Sequence, residues 1–161
     1  MIAARLIELL LAYSNSRRLR AAGAIEHGRS HYPLIVALHV FWIAAFWFFV
    51  PRDRPPDLFL LGLFALLQLA RVWVIASLGQ YWTTRILTLP GTPLVRRGPY
   101  RFIRHPNYLV VALEIPTLFG AFHAWGLALG FGLANLAILY WRIRTENQVL
   151  APRRSLKTGH A

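Results

Sequence analysis

The sequence predicts an all-α integral membrane protein, a helical bundle with about five transmembrane helices. Of its 161 residues, 57% are hydrophobic and only 15% are charged, whereas about a quarter of the residues in a soluble domain carry charge. Several apolar runs also reach the roughly 17 to 25 residues that a membrane span requires. With so little polar surface, the chain is expected to form one domain, residues 1–161, surrounded by membrane lipids.

Apolar runs define the predicted helices in order. They cover Ile2 to Tyr13, Pro33 to Val50, Leu58 to Leu78, Pro106 to Phe122, and Ala124 to Trp141. The first is short for a span and is expected to extend through its polar flank. The second and fourth open at proline, which is favoured at the first position of a helix. So little chain separates the last two that they must form a tight antiparallel hairpin.

The segment between the third and fourth helices, Gly79 to His105, is predicted to be a connector because glycines and prolines interrupt it. Residues 1–78 then hold the first three helices. Residues 79–150 hold the connector and the last two helices, and residues 151–161 form a flexible basic tail.

Positive charge is unevenly distributed along a chain whose formal net charge is +12. The first loop, the connector and the tail are rich in arginine, whereas the second loop is balanced and the hairpin turn is uncharged. The positive-inside rule therefore puts the connector and tail on the cytoplasmic side of the plasma membrane, in a bacterium the inner membrane. Because the arginines lie between apolar runs, nucleic acid is not an expected partner. The chain has no cysteine and no histidine spacing typical of metal sites, so no metal is expected.

The most informative segment is GPYRFIRHPNY, Gly98 to Tyr108. A residue before proline is pushed out of the α region, so His105 is expected to be extended where Pro106 begins the fourth helix. The free N–H groups at that helix end favour an anionic or polar ligand group. Tyr100 and Phe102 offer flat surfaces to an aromatic ring such as adenine. The alternative is an interfacial anchor, because aromatic and arginine side chains gather at headgroup depth.

A second polar cluster follows the last apolar run. Arg142 and Glu146 are four residues apart and so share one face of a helix. Glu146 is a rare carboxylate among many cations at the membrane edge, which suits a ligand ammonium group. A surface ion pair is the alternative, although arginine before glutamate is the weaker order for a helical pair. We interpret the two clusters as halves of one cofactor site.

Glu114 lies inside the fourth helix between apolar neighbours. An ionisable residue at membrane depth is a functional candidate by default. Arg71 in the third helix is its candidate partner, with Gln68 nearby on the same helix. Glu114 is therefore either a general base or half of a buried Arg71–Glu114 pair that joins the two helices.

These motifs together resemble the isoprenylcysteine carboxyl methyltransferase family of integral membrane methyltransferases. The resemblance covers about Leu78 to Leu150 and rests on GPYRFIRHPNYL, the tight hairpin and the R-x-x-x-E segment. It implies S-adenosyl-L-methionine as cofactor, in a cytosol-facing pocket roofed by the connector, and a lipophilic substrate that enters from the bilayer. The residues that it implies for the cofactor are Gly98, Tyr100, His105, Pro106, Tyr108, Leu109 and Glu146. Arg142 would face the acceptor group of the substrate.

The N-terminal half, through HYPLIVALH and LGQYWTTRI, resembles a bacterial branch of that family encoded beside type III polyketide synthases. Members of that branch are thought to O-methylate alkylpyrones or alkylresorcinols. Two positions differ from the usual family pattern: Asn147 follows Glu146 where a second glutamate is usual, and Glu114 lies in an otherwise apolar helix. The acceptor therefore stays open between prenylcysteine, alkylpyrone and alkylresorcinol.

The sequence thus predicts an S-adenosyl-L-methionine-dependent O-methyltransferase that acts on a carboxyl, phenol or enol oxygen of a lipophilic or prenylated substrate. Arg142 would position the acceptor, and Glu114 would take the proton of a phenol or enol as a general base. The alternatives are a phospholipid-type N-methyltransferase, an NADPH-dependent sterol-type reductase and a non-catalytic scaffold. An amine acceptor gains nothing from Arg142, and the reductase would need a cysteine-containing C-terminal stretch that this chain lacks.

Overall fold

A computed structural model describes residues 2–29, 32–51 and 53–155. The helices are α1 (Ile2–Ala21), α2 (Tyr32–Phe49), α3 (Leu58–Leu78), α4 (Pro106–Ala121) and α5 (Trp125–Leu150). Two short strands are β1 (Ile25–His27) and β2 (Ile86–Thr88), and 3-10 turns cover Gly79–Tyr81, Gly98–Arg101 and Ala151–Ser155. The predicted tail is therefore described as far as Ser155, and its remainder lies outside the described residues.

The helix boundaries follow local chemistry. The side chain of Asp57 accepts a hydrogen bond of 3.0 Å from the Leu60 backbone N–H, which caps α3 at its predicted start. Gly79 ends α3 with a φ of 54°, a conformation that glycine adopts without steric penalty. α1 extends through its polar flank to Ala21, as expected. α5 continues past the apolar run to Leu150, so Arg142 and Glu146 lie on a helix.

α4 and α5 form the tight hairpin that the sequence predicts. His123 turns the chain with a φ of 58°, and its N–H donates to the Gly120 carbonyl at 2.9 Å. The Asn135 side chain of α5 then donates to the Val111 carbonyl of α4 at 3.0 Å. The hairpin therefore brings the start of α4 beside the end of α5.

The two strands are an addition to the predicted all-α architecture. They pair antiparallel, with Ile25 opposite Thr88 and His27 opposite Ile86. Each strand has three residues, so neither gives the alternating pattern that sequence analysis needs. The pair attaches the chain after α1 to the connector after α3.

The core lies between α2, α4 and α5. Trp42 and Phe119 are fully buried, and their rings meet edge to face with centroids 6.3 Å apart, a favoured aromatic geometry. Ile115 of α4 completes this core. The core thus fixes the hairpin against α2 below the end where the polar residues gather.

Among the described residues, three helices are long and apolar enough to cross a membrane, at Tyr32–Phe49, Leu58–Tyr81 and Trp125–Arg153. α4 has only 16 residues, and α1 carries Arg5 and Glu8. The composition and length of the three helices support an integral membrane protein. The predicted total of about five spans is not confirmed.

Candidate functional site

A cavity of about 550 Å³ lies where α4 begins and α5 ends, beside the connector. This volume is within the roughly 300 to 1,000 Å³ that small-molecule sites occupy. Its wall includes predicted site residues from both polar clusters: Tyr100, His105, Tyr108, Arg142 and Glu146. The two clusters therefore meet in one cavity.

Pro106 explains how the histidine reaches this cavity. His105 precedes α4 with a φ of −131° and a ψ of 60°, so it lies outside the α region, as a following proline requires, but it is not fully extended as the sequence predicted. Its backbone carbonyl accepts from the Tyr108 N–H at 3.1 Å, so the first turn of α4 folds back over it. The two rings stack with centroids 5.4 Å apart and planes inclined by 21°. They form one flat aromatic surface at the start of α4.

The Tyr108 hydroxyl connects the residues of α5. It donates a short hydrogen bond to the Glu146 carboxylate and accepts one from Arg142 Nε at 2.7 Å. A second donor atom of Arg142, Nη2, bonds to the Thr84 backbone carbonyl at 2.8 Å. The guanidinium is therefore held by two neutral oxygens, one from α4 and one from the connector.

His105 lies between two oxygen-bearing side chains of α5. Its Nε2 is 3.1 Å from Asn147 Oδ1, and its Nδ1 is 3.9 Å from Glu146 Oε1. Asn147 thus contacts His105 at the position where the family usually has a second glutamate.

Tyr100 belongs to the connector and stays protonated. Burial, and then the negative charge of Glu146, raise the pKa of the Tyr100 phenol above its ordinary value. A protonated phenol keeps its O–H donor. Tyr100 therefore offers a neutral aromatic surface with one hydrogen-bond donor.

Three predicted cofactor residues are not among those that line the cavity. Gly98 has a φ of 56°, and a Cβ there would overlap the Ser77 hydroxyl of α3. Pro106 is buried at the start of α4, and Leu109 is 49% exposed on that helix. Their predicted contacts with a cofactor stay predictions, while their visible roles are to pack the connector and shape α4.

Glu114 lies in a separate group of five polar side chains, which we call the buried charge cluster: Arg5, Glu8, Gln68, Arg71 and Glu114. Its carboxylate is bound by Arg5 through a short contact and by Gln68 Nε2 at 2.8 Å. Arg71 lies 3.6 Å away and also donates twice to Glu8, at 2.8 and 2.7 Å. The predicted Arg71–Glu114 pair is thus present.

The buried charge cluster joins α1, α3 and α4. Two arginines balance two glutamates, which limits the energetic penalty of burying them. Glu114 does not line the cavity that holds Arg142. This placement favours the structural alternative for Glu114, and its role as a general base stays a prediction.

Sequence reasoning missed two cavity residues with unsatisfied polar atoms. The indole Nε1 of Trp82 and Oδ1 of Asn107 are buried and have no hydrogen-bond partner among the described residues, and both residues line the cavity. A buried polar group without a partner costs about 1 to 3 kcal/mol. Asn107 directly follows Pro106, and Trp82 lies within the LGQYWTTRI segment, but neither residue was predicted to bind a cofactor.

The model of the isoprenylcysteine carboxyl methyltransferase (ICMT) family matches residues 60–152 of this chain, more than half of its length. The chain belongs to the ICMT family. The matched region of this ICMT-family protein contains the connector, α4, all of α5 and every predicted site residue. Family membership supports a membrane methyltransferase in general terms.

Two curated relatives of this ICMT-family protein are similar over most of their length. It is 38% identical over 157 residues to the uncharacterized protein YpbQ of Bacillus subtilis, covering 93% of this chain and 92% of that protein. It is 30% identical over 129 residues to an uncharacterized protein of Haemophilus influenzae, covering 74% of this chain and 71% of that protein. No solved structure matches the chain significantly.

Proposed function

We propose that this ICMT-family protein is an S-adenosyl-L-methionine-dependent O-methyltransferase that acts on an acidic oxygen of a lipophilic acceptor from the bilayer. The observation that carries the proposal is the convergence of His105, Tyr108, Arg142 and Glu146 in one cavity. The basic connector and tail support a cytoplasmic cofactor side in a bacterial inner membrane.

The cavity residues fit the polar groups of this cofactor. Glu146 offers a carboxylate to an ammonium group, and the stacked rings of His105 and Tyr108 offer a surface to adenine. Trp82 and Asn107 have unsatisfied buried polar atoms, which a nucleoside could satisfy after a small side-chain movement. When bound, S-adenosyl-L-methionine supplies the methyl group: its bond to the sulfonium breaks as a bond to the deprotonated acceptor oxygen forms, which leaves S-adenosylhomocysteine.

Arg142 supports oxygen as the acceptor atom. Its hydrogen-bond partners are the Tyr108 hydroxyl and the Thr84 carbonyl, and no carboxylate among the described residues forms an ion pair with it. Its positive charge is therefore free to orient an anionic oxygen, and orientation is the main contribution that methyl transfer requires of a protein. An amine acceptor would not benefit from this charge.

The remaining cavity wall supports an amphiphilic acceptor. Aliphatic side chains from four elements line it beside the polar groups: Leu19 of α1, Leu78 of α3, Ile86 and Leu87 of β2, and Leu150 of α5. An alkylpyrone or alkylresorcinol is the acceptor that the N-terminal resemblance favours, and prenylcysteine is the carboxylate alternative. A carboxylate needs no base, which agrees with the separation of Glu114 from the cavity.

Calorimetric titration of the detergent-purified protein with S-adenosylhomocysteine tests the site. We expect binding to the wild type, and weakening by about tenfold or more in Glu146→Gln and in His105→Ala, because each loses a polar ligand contact. Asp53→Asn and His123→Asn are matched controls at the opposite end of the bundle and should bind like the wild type. Unchanged affinity in both site variants would overturn the proposed cofactor site.

A further inference from the structure

The N-terminal part of the chain contributes a buried carboxylate beside the cavity. Glu26 of β1 has a side chain only 5% exposed, and three arginines surround it. Arg85 and Arg20 each bond to it at 2.6 Å, and Arg29 lies at 3.4 Å. Glu26 thus neutralises part of a positive cluster that would otherwise repel itself.

Arg85 connects this carboxylate to the cavity wall. Besides its bond to Glu26, its guanidinium lies 4.3 Å from the centroid of the Tyr32 ring, within cation–π distance. Arg85 also lines the cavity, directly before β2. One side chain of the connector is therefore fixed by β1 and by the start of α2.

Thr84, which precedes Arg85 in the chain, connects the Arg85–Glu26 ion pair to Arg142. The Thr84 carbonyl accepts from Arg142 Nη2 at 2.8 Å, and the Thr84 hydroxyl lies 3.4 Å from Tyr32 Oη. Because Arg85 follows Thr84 in the chain, the ion pair with Glu26 restricts the backbone that presents this carbonyl. Glu26 and Arg142 are thus linked through two adjacent connector residues.

We propose that Glu26 is a positioning residue for the acceptor: it holds Arg85, and so sets the Thr84 carbonyl that orients Arg142 in the cavity. This inference rests on the proposed function. The residues that supply the restraint, Glu26 and Tyr32, precede the region matched by the family model, which begins at residue 60. The segment from the end of α1 to the start of α2 therefore tunes acceptor recognition, while the cofactor contacts come from α4 and α5.

The geometry favours this role over a purely structural one. Hydrogen bonds of the β1–β2 pair and the contact between His27 Nε2 and Thr88 Oγ1 at 3.1 Å already attach the two strands. Loss of the Glu26 charge would leave those contacts in place. It would free Arg85 and leave Arg20 and Arg85 without their shared anion, so the effect should concentrate on residues 83–88.

Steady-state kinetics of Glu26→Gln tests the proposal, with a long-chain alkylresorcinol and a farnesylated N-acetylcysteine as acceptor probes. We expect the acceptor KM to rise by about tenfold, while the KM for S-adenosyl-L-methionine and the affinity for S-adenosylhomocysteine stay within about twofold of wild type. Glu26→Asp, which keeps the charge, should recover part of the loss. Asp53→Asn is the control for removal of a carboxylate elsewhere.

A double-mutant cycle with Arg85→Gln identifies the route. If Glu26 acts through Arg85, the two substitutions together should raise the acceptor KM no more than the larger single effect. Fully additive effects would overturn that route. An unchanged acceptor KM in Glu26→Gln, or equal rises in the KM values of acceptor and cofactor, would overturn the positioning role.

Hydrogen exchange keeps this test separate from that of the proposed function. If the wild type binds S-adenosylhomocysteine but methylates neither probe, that result would contradict O-methylation of these acceptors, but hydrogen exchange would still test the positioning role of Glu26. Glu26→Gln should then show faster amide exchange in residues 83–88 than wild type and Asp53→Asn, with α4 unchanged. Wild-type exchange in that segment would overturn the role of Glu26. If Glu26→Gln does not fold, amide exchange is measured in Glu26→Asp, which should still be faster than wild type in residues 83–88.

Discussion

His105 Nδ1 lies 3.9 Å from Glu146 Oε1, so the residue that precedes α4 meets the penultimate turn of α5. Their contact depends on the tight hairpin, which returns the chain to the same end of the bundle. Tyr108 stacks on one partner and bonds to the other. The three side chains therefore form a single unit at the cavity.

Tyr108→Phe should weaken this unit without disturbing the fold. The variant keeps the stacked ring but removes the hydroxyl that bonds to Glu146 and Arg142. Loss of hydrogen bonds to two charged groups should lower kcat/KM by about tenfold to a hundredfold. Tyr140→Phe is the matched control, because Tyr140 is exposed on α5. Wild-type kinetics in Tyr108→Phe would show that the hydroxyl bridge has no part in activity.

Arg142→Lys should separate charge from geometry. Lysine keeps the positive charge but cannot reproduce the two directed bonds to the Tyr108 hydroxyl and the Thr84 carbonyl. We expect acceptor turnover to fall by about tenfold or more, with the affinity for S-adenosylhomocysteine within about threefold of wild type. Arg144→Lys serves as the control, because Arg144 lies two residues further along α5 and is exposed. Full activity in Arg142→Lys would mean that a simple point charge suffices.

Glu114→Gln distinguishes the two interpretations of the buried charge cluster. As a structural partner, Glu114 neutralises Arg5 and Arg71, and its loss should reduce the free energy of unfolding by about 3 kcal/mol. The measurement is thermal unfolding in detergent, together with methyl transfer at low temperature. A stable but inactive variant would instead support the general base, whereas an unstable variant with residual activity supports the cluster.

Acid should lower the free energy of unfolding of the wild type in part because it protonates Glu26. Burial of its side chain acts to raise the pKa, but the hydrogen bond and charge of Arg85, with the charges of Arg20 and Arg29, hold the Glu26 pKa below its ordinary value. A depressed folded-state pKa means that the stabilisation is complete above the unfolded pKa and is lost as pH falls through the folded value. Wild type should therefore lose more stability than Glu26→Gln as the pH falls below the ordinary glutamate pKa of roughly 4.3. Parallel pH profiles would contradict this assignment.

The parts of the fold that the sequence predicted are those with local signals. Proline, glycine and aspartate mark where α3 and α4 begin and where α3 ends, and the short link fixed the hairpin. The three-residue strands lack a periodic pattern, so only the tertiary contact with the connector reveals them. α5 continues beyond its apolar run, because Arg142 to Leu150 are also helical and lie beside the connector.

The site shows the same division. Tyr100, His105, Tyr108, Arg142 and Glu146 carry chemistry in their side chains and could be predicted to meet. Thr84 contributes a backbone carbonyl, which has no sequence signature. Arg5 and Glu8 of α1 reach Glu114 of α4 and Arg71 of α3 only in the tertiary structure, a long-range relationship that residue spacing does not encode.

Photochemical cross-linking of radiolabelled S-adenosyl-L-methionine to the purified protein, followed by peptide mapping, tests the central claim most directly. We expect label in peptides that contain Tyr100–Tyr108 and Arg142–Leu150, and its disappearance when unlabelled S-adenosylhomocysteine is in excess. The contrary result is label that unlabelled S-adenosylhomocysteine removes but that is confined to α2 or to the far end of the bundle around His123. It would contradict a cofactor site built from the start of α4 and the end of α5.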